Sequence, residues 1–230
     1  MKIAVIGKNK KNVEIVKRNL KLFGQEIVTK NPDIVISHGG DGSFLYSERL
    51  YPGVPKIITR DNSICHMCAQ GEHVELIDKL IKKQFTIIEN NKLHAVIIKK
   101  RKKIIKTAVN DIVIRNDEQY HAIRFNLFID KSQINNEFIG DGIVVATPFG
   151  STGYYYSITK SSFQKGIGIA LNNTTTKENK YKANKKIRFK LLRNSASLSV
   201  DNDKQIIKLN EGDVVEIKQS KLKYKLIKVK

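Results

Sequence analysis

The stretch that decides the fold is Ile34-Val35-Ile36-Ser37-His38-Gly39-Gly40-Asp41-Gly42-Ser43. It begins as a short apolar run, which is typical of a buried strand, and it ends in a glycine-rich turn. Glycines let the backbone turn sharply and approach a ligand closely. Such a turn before a helix presents backbone N–H groups that suit phosphate. Asp41 has two interpretations: it caps the next helix, or it handles a proton, a metal or a hydroxyl beside the phosphate.

Strands and helices alternate on both sides of this turn, which predicts a Rossmann-like α/β domain with parallel strands over residues 1–88. Apolar side chains recur at helical spacing before and after the turn, and Gly24 is a suitable helix stop. In such a sheet, ligands bind outside the carboxyl ends of the strands, where the glycine turn lies. The predicted elements are strands over residues 2–6, 25–29, 33–37 and 54–59, and helices over residues 12–23, 44–50 and 73–84.

Beyond residue 88 the pattern changes to many short strands rich in Ile, Val and Phe. Polar turns separate them, which predicts a β-sandwich-like domain over residues 89–230. One helix is expected near residues 151–159, and the lysine-rich segment 172–185 is expected to be a mobile loop. The predicted strands cover residues 85–89, 93–99, 104–109, 112–115, 121–130, 138–146, 166–171, 186–192, 197–201, 205–209, 214–218 and 222–229.

The composition indicates a globular protein that favours anionic partners. Among 230 residues, 40% are hydrophobic and 28% are charged, and the formal net charge is +20. This charge would attract nucleic acid or nucleotides, but it is spread over the chain and also fits the codon bias of an AT-rich genome. The basic run 99–103 lies between two strands and predicts a solvated hairpin turn. Nucleic acid is therefore not the expected main partner.

No segment of the sequence predicts a membrane protein or a secreted one. No apolar run approaches the roughly 20 residues needed to span a bilayer, and the first strand is too short for a signal-peptide core. We therefore expect a cytoplasmic protein. Cys65-His66-Met67-Cys68 offers one cysteine pair where structural zinc sites usually show two. Two reduced thiols are the favoured interpretation, with a metal site or a reactive dithiol as alternatives, and no metal-binding residue is predicted.

Two more polar clusters interrupt apolar strands. Asn110-Asp111 lies between two strands, where it either marks a turn or offers an amide and a carboxylate to ribose hydroxyls. Further along, Asp141-Gly142 opens a strand that ends in Thr147-Pro148-Phe149-Gly150-Ser151-Thr152-Gly153-Tyr154. There Ser151 or Thr152 is either a helix N-cap or, with Tyr154, part of a surface for a flat base and its sugar.

These motifs together resemble the NAD kinases. The resemblance rests on Gly39-Gly40-Asp41-Gly42, then Asn110-Asp111, then Asp141-Gly142 with the Thr147–Tyr154 stretch and Ser157, all in the family's order. The two predicted domains also match the family's plan. The related diacylglycerol and sphingosine kinases carry a Gly-Gly-Asp-Gly as well, so the third motif makes the match specific.

The resemblance implies an enzyme that moves the terminal phosphate of ATP, or of polyphosphate, to the 2′-hydroxyl of the adenosine ribose of NAD, making NADP. It implies Asp41 as the general base and phosphate binding by Gly39, Gly40, Gly42 and Ser43. It also implies Mg²⁺ carried by ATP and a homo-oligomer, either a dimer or a tetramer. The residues that it implies for NAD binding are Asp41, Gly42, Asn110, Asp111, Asp141, Thr152, Gly153, Tyr154 and Ser157, with Asp141 at the nicotinamide end of a neighbouring subunit's substrate.

Four segments differ from the family pattern. Thr59–Met67 keeps only Asn62 of a glycine-rich motif, and Ile158–Ser161 replaces a stretch of small residues and glycines. A Pro-His-Ser-Leu segment is replaced near Leu171–Thr174, and Asp201-Asn202 stands where Asp-Gly is usual. Two alternatives therefore stay open: a related kinase acting on a lipid or sugar hydroxyl, and a basic nucleotide- or RNA-binding module without catalysis.

Overall fold

The computed structural model describes residues 1–59, 68–69, 73–100 and 102–229. Its contacts form two units, Met1–Asn90 with Leu222–Lys230, and Asn91–Lys221. The chain passes between the units within two long strands, Phe85–Lys99 and Val214–Val229. Each was predicted as two strands, because polar residues interrupt the apolar pattern. The interruptions fall where the chain leaves one core and enters another, so they mark a change of unit rather than a turn.

The first unit is an α/β layer in which helices connect parallel strands. Asn9 caps the first helix by accepting hydrogen bonds from the N–H groups of Lys11 and Asn12, and Gly24, with a φ of 67°, follows its end. Its elements are β1 (Lys2–Gly7), α1 (Lys10–Leu22), β2 (Glu26–Ile27), β3 (Ile34–His38), α2 (Asp41–Leu50), β4 (Lys56–Thr59), α3 (His73–Ile81) and the start of β5 (Phe85–Lys99).

The parallel strands of this unit lie in the order β2-β1-β3-β4, with Leu226 of the last strand opposite Lys56. The chain leaves β1 for β2 on one side and returns to β3 on the other, so the strand order reverses between β1 and β3. At the carboxyl edge Gly7 is paired with His38, and His38 with Thr59. Ligands of α/β sheets bind at such a reversal point, next to the glycine turn here.

A buried ion pair fixes the far end of α2 to the start of β4. Lys56 is fully buried, and its Nζ lies 2.5 Å from Oε2 of Glu48 and donates to the carbonyls of Tyr51 and Val54. Oε1 of Glu48 accepts from the N–H of Gly53. Each buried charge therefore has hydrogen-bonding partners, which is the condition for burying an ion pair without a large penalty.

The second unit is all-β apart from two short helical turns. Its elements are the end of β5, β6 (Lys102–Ala108), β7 (Asp111–Asn116), β8 (Ile123–Ile129), β9 (Ser132–Gly140), β10 (Gly142–Ala146), a 3₁₀ turn (Gly150–Thr152), α4 (Tyr154–Thr159), β11 (Ile167–Asn172), β12 (Lys180–Ala183), β13 (Lys186–Arg193), β14 (Ala196–Val200), β15 (Ile207–Leu209) and the start of β16 (Val214–Val229).

Two antiparallel sheets of this unit enclose one core. One sheet has the order β12-β11-β10-β7-β14-β15, and the other joins β9, β8, β13, β16, β5 and β6. Buried side chains of both sheets, among them Ile114, Phe125, Val145 and Phe189, form a single cluster. The inward residues alternate with more exposed ones along β8 and β13. The predicted β-sandwich-like domain is confirmed, with an α/β domain before it.

Three predicted elements are wrong in detail. Residues 138–146 form two strands instead of one, because the chain crosses from one sheet to the other at Gly140-Asp141-Gly142. Gly142 has a φ of 132°, and a Cβ there would lie 1.9 Å from the carbonyl oxygen of Ile114, so only glycine fits the corner. The lysine-rich segment expected to be a mobile loop contains β12, paired with β11. The helix expected from residue 44 begins at Asp41.

The hairpin expected at the basic run is confirmed, since Lys99 pairs with Lys102 at the end of β5 and β6. Within the described ranges, no helix is both long and apolar enough to cross a membrane. Among the same residues, no group of three or more His, Cys, Asp or Glu side chains is arranged to hold a metal ion.

Candidate active site

The glycine turn of the first unit is complete before Asp41. Gly39 and Gly40 have φ values of 129° and 100°, a backbone conformation that other residues rarely adopt. Gly40 is the N-cap of α2, and its carbonyl accepts from the N–H groups of Ser43 and Phe44. Asp41 is therefore the first helical residue and not the cap, so the capping interpretation of Asp41 is wrong. The carboxylate lies at the positive end of the helix dipole.

Gly42 and Ser43 already lie in the first turn of α2. The Ser43 side chain is buried, and its N–H group donates to Gly40 within the turn. A helical backbone does not require glycine, and glycine costs a helix about 1 kcal/mol relative to alanine. Gly42 therefore has a reason other than backbone geometry, and close approach of a ligand to the helix start is one that fits.

The base of the turn is tied to the next strand. Nδ1 of His38 and Oγ1 of Thr59 are 2.9 Å apart, and both side chains are buried. The N–H of Gly39 donates to the carbonyl of Thr59. The start of the glycine turn is thus tied to the end of β4. Residues 60–67, with Cys65 and His66, lie outside the described residues. Cys68 is described and is disulfide-bonded, so the favoured interpretation of two reduced thiols is wrong at Cys68.

In the second unit, Asn110 and Asp111 lie in a tight node between β6 and β7. Nδ2 of Asn110 donates to Oδ2 of Asp111 at 3.0 Å. The Asp201 carboxylate, 90 residues later, accepts hydrogen bonds from the backbone N–H groups of Val109, Asn110 and Asp111 at 3.0, 2.7 and 3.2 Å. We call Asn110, Asp111 and Asp201 the Asp201 node. Here the Asn-Asp pair does mark a bend, and the bend is held by a distant carboxylate.

Asp111 is buried and does not ionise as an ordinary aspartate. Burial and the neighbouring Asp201 carboxylate raise its pKa from 3.8 to about 7, against the hydrogen bond from Asn110, which lowers it. Asp111 therefore changes charge near neutral pH. As a carboxylate it can accept hydrogen bonds from two hydroxyls, and as the neutral acid it can also donate one.

The turn after β10 packs on the same node. Oγ1 of Thr147 donates to the carbonyl of Val109 at 2.7 Å, and the N–H of Thr147 donates to the carbonyl of Asn110 at 3.0 Å. A Cβ on Gly150 would lie 2.1 Å from the Asn110 carbonyl oxygen, so only glycine allows this approach. A Cβ on Gly153 would be 3.8 Å from Nδ2 of Asn110. The structure thus brings Asn110, Asp111 and Gly153 together.

Neither hydroxyl of this turn is a helix cap, so that interpretation of Ser151 and Thr152 is wrong. Gly153 precedes α4 without a side-chain cap. Buried Ser151 instead exchanges hydrogen bonds with the backbone of Phe163, holding the 3₁₀ turn in place. Thr152 is exposed on the same turn, and Tyr154 packs partly on the cluster of Val144 and Tyr155. Thr152 and Tyr154 flank Gly153, which is the residue of this trio that lies near Asn110.

Two more residues implied by the resemblance, Asp141 and Ser157, lie in this unit. Asp141 precedes β10, whose other end, Ala146, pairs with Asp111. Five residues at about 3.3 Å each place Asp141 about 16 Å along the strand from the node. Its carboxylate accepts from Asn173 at 3.2 Å. Ser157 is exposed on α4, and its hydroxyl donates to the carbonyl of Tyr154. The structure does not bring Asp141 to the Asp201 node.

Sequence reasoning missed the functions of Asp201 and Thr147, the two residues that hold Asn110 and Asp111 in place. Asp201 was noted only because its neighbour is not glycine, and Thr147 only as part of a motif. A signal was present for Asp201: it is an acidic residue directly after an apolar strand, at a φ of 50° that aspartate tolerates. The sequence contains nothing that pairs it with Asn110.

Comparisons with known proteins agree with these motifs. The family model described as the ATP-NAD kinase C-terminal domain matches residues 109–229. An NAD kinase of Ruminiclostridium cellulolyticum is 29% identical over 220 residues, which are 88% of this chain and 75% of that relative.

Two solved structures share the fold over the whole chain. A yeast NADH kinase in complex with NADH superposes with a TM-score of 0.86 at 17% identity, over 100% of this chain and 84% of that one. An NAD kinase from Archaeoglobus fulgidus in complex with ATP gives 0.81 at 19% identity, over 100% and 94%.

Proposed function

The chain belongs to the NAD kinase family and is an enzyme that phosphorylates NAD to NADP with ATP; on that premise we propose which of its residues carry out the transfer. The observation that carries the proposal is the position of Asp41, an acid at the first residue of a helix that follows two glycines with positive φ. A lipid or sugar kinase and a non-catalytic module have no comparable support.

Asp41 acts as the general base at the 2′-hydroxyl of the adenosine ribose. Phosphoryl transfer has a loose transition state, so alignment and neutralisation of charge matter more than a strong base. A carboxylate therefore suffices to accept the proton as the new P–O bond forms. Gly39, Gly40 and Gly42 let the phosphates approach the helix start, where the dipole favours negative charge, and Ser43 stabilises the turn from within.

The Asp201 node holds the adenosine of NAD. Asn110 and Asp111 bind its ribose hydroxyls, because an amide and a carboxylate on one bend offer both a donor and acceptors. Thr152, Gly153 and Tyr154 form the side that faces the adenine, and Ser157 borders it. The first unit thus supplies the phosphate loop and the second unit the NAD-binding surface, whereas residues 222–230, which were expected in the second domain, lie in the first unit.

Asp141 serves a different part of the substrate. Its distance from the Asp201 node supports a contact with the nicotinamide end of NAD bound to a neighbouring subunit of a dimer or tetramer. Sedimentation velocity of the purified chain measures the assembly, and a monomer at catalytic concentrations contradicts this role. Location in the cytoplasm stays a prediction from the sequence.

Mg²⁺ enters with ATP and is bound mainly by phosphate oxygens and water. This proposal rests on the chemistry of ATP, because Mg²⁺ is commonly held by substrate phosphates and water together with one or two carboxylates. Mg²⁺ supplies charge neutralisation on the transferred phosphoryl group. Polyphosphate is a second candidate donor.

The test is NADP formation by wild type with NAD and Mg²⁺, using ATP and polyphosphate in separate reactions. We expect Asp41→Asn to lower kcat by about 10²–10⁴, the usual contribution of a general base, with an unchanged thermal transition. Asp78→Asn is the matched control, because Asp78 is an acid of the same unit that pairs only with Lys82 on the surface of α3. Full activity of Asp41→Asn would contradict the role of Asp41.

A further inference from the structure

The second unit contains a small cavity in the sheet that does not carry Asn110 and Asp111. It measures about 90 Å³ and is lined by His94, Val96, Lys186, Glu216, Ile217 and Lys218. These residues come from β5, β13 and β16, in the sheet that does not contain β7 and β10, the strands beside the Asp201 node. A cavity of this size is too small for a nucleotide, since pockets for such ligands measure about 300 Å³ or more.

The charges of the cavity are not balanced by its own residues. Lys186 and Lys218 lie directly opposite each other on neighbouring antiparallel strands. Like charges in that position repel and destabilise a sheet. Nζ of Lys186 is 2.8 Å from Oε1 of Glu216, so these two charges balance each other. The positive charge of Lys218 is then not balanced by a residue of the cavity. Among the described residues, no acidic side chain forms an ion pair with Lys218.

The remaining groups suit an anion with several oxygens. His94 carries a ring nitrogen that can donate, and in the described part of the chain no protein group hydrogen-bonds to its ring. Val96 and Ile217 complete the lining, and the Lys186 and Lys218 side chains stay accessible to solvent, so an anion would be held at an open site by charge-assisted hydrogen bonds. Arg188, the strand partner of Glu216, is 6.0 Å over the ring of Phe128 and does not line the cavity.

We propose that this cavity is a binding site for a phosphate dianion, free or as the head of a small phosphate monoester, held by Lys218, Lys186 and His94. The anion lies between the two opposed lysines and removes their repulsion. Glu216 keeps Lys186 in position through its ion pair. The site is separate from the donor and acceptor sites of the kinase reaction, so it holds whether or not the residue roles proposed above are correct.

The experiment follows the imidazole resonances of His94 in the full-length chain, assigned with His94→Gln. Inorganic phosphate and methyl phosphate are titrated separately at pH 8, with chloride at equal ionic strength as the reference. We expect a saturable shift of His94 with phosphate. Saturation by inorganic phosphate alone assigns the site to the free ion, and saturation by both probes assigns it to the phosphate head. Saturation by neither overturns the proposal.

Two variants distinguish binding of phosphate in the cavity from nonspecific attraction of phosphate to the basic surface. Lys218→Gln should weaken binding about tenfold, the typical effect of one lost charge-assisted hydrogen bond. Lys190→Gln is the matched control, because Lys190 is an exposed lysine on the same face of β13, opposite Val214 and outside the cavity. It should change binding less than twofold. Equal weakening by both variants, or none by Lys218→Gln, overturns the proposal.

Discussion

The glycine turn and the Asp201 node position their functional groups by opposite means. In the turn, adjacent residues set the backbone path: two glycines with positive φ end the strand, and Asp41 follows in the first helical position. Thr59 of the neighbouring strand only anchors its base. In the node, the bend at Asn110 is held by a carboxylate 91 residues away. The comparison teaches that a site built from local backbone geometry can be read from a motif, and a site built from distant hydrogen bonds cannot.

Glycine also has a different role in the two regions. Gly150 is required by the protein itself, because any side chain would meet the carbonyl oxygen of Asn110. Gly42 lies in a helix, a backbone conformation that does not require glycine. One glycine thus serves packing, and the other we assign to the ligand.

Among variants that distinguish the glycine turn from the Asp201 node, Asp201→Ala should have the largest effect on the free energy of unfolding. Three backbone N–H groups lose their acceptor, and at about 1–3 kcal/mol for each buried unsatisfied donor the free energy of unfolding should fall by about 3 kcal/mol or more. Chemical denaturation measures it. Asp203→Ala is the control, since Asp203 is partly exposed and its nearest cation, Lys106, is 3.8 Å away; it should cost less than about 1 kcal/mol. Similar losses in both variants would contradict the structural role of the node.

A second effect concerns the pH dependence of NAD binding. Because the pKa of Asp111 is raised to about 7, its carboxylate forms only as the pH rises through that value. If the carboxylate accepts the ribose hydroxyls, KM for NAD should fall as the pH rises from 6 to 8, by about tenfold at most. Asp111→Asn should flatten that profile. A profile that is unchanged in Asp111→Asn would remove Asp111 from the binding of NAD.

The raised pKa of Asp111 also predicts how the free energy of unfolding changes with pH. The folded pKa of Asp111 lies above the unfolded value, so the native state holds the proton more tightly. The contribution is fully present below about pH 4 and is lost as the pH rises through about 7. Without ligand, Asp111→Asn should therefore reduce the decline in the free energy of unfolding between pH 5 and pH 8, measured by denaturation at each pH.

The smallest change in stability is expected at Gly42. Gly42→Ala should raise the free energy of unfolding by about 0.5–1 kcal/mol, because alanine favours the helix. It should also lower NADP formation, because the methyl group occupies space that we assign to the ligand. Gly150→Ala should destabilise the fold instead. A Gly42→Ala variant with full activity would show that the two glycines do not differ in this way.

The sequence by itself determined the order of elements in the first domain, the class of the second, and the identity of the glycine turn. These follow from local spacing: apolar side chains at helical or strand periods, and glycines at positions that need a positive φ. Even the boundary of α2 is a local matter, since the turn finishes at Gly40 and the helix begins with the acid.

Only the tertiary structure decided what holds Asn110 and Asp111 in place. Periodicity does not record which strand lies beside which, so nothing in the sequence pairs Asp201 with Asn110 or raises the pKa of Asp111. The corner at Gly142 and the continuity of β5 and β16 depend on the same information. Burial and long-range hydrogen bonds arise when distant strands pack together, and that step gives Asn110-Asp111 its fixed bend and its unusual carboxyl group.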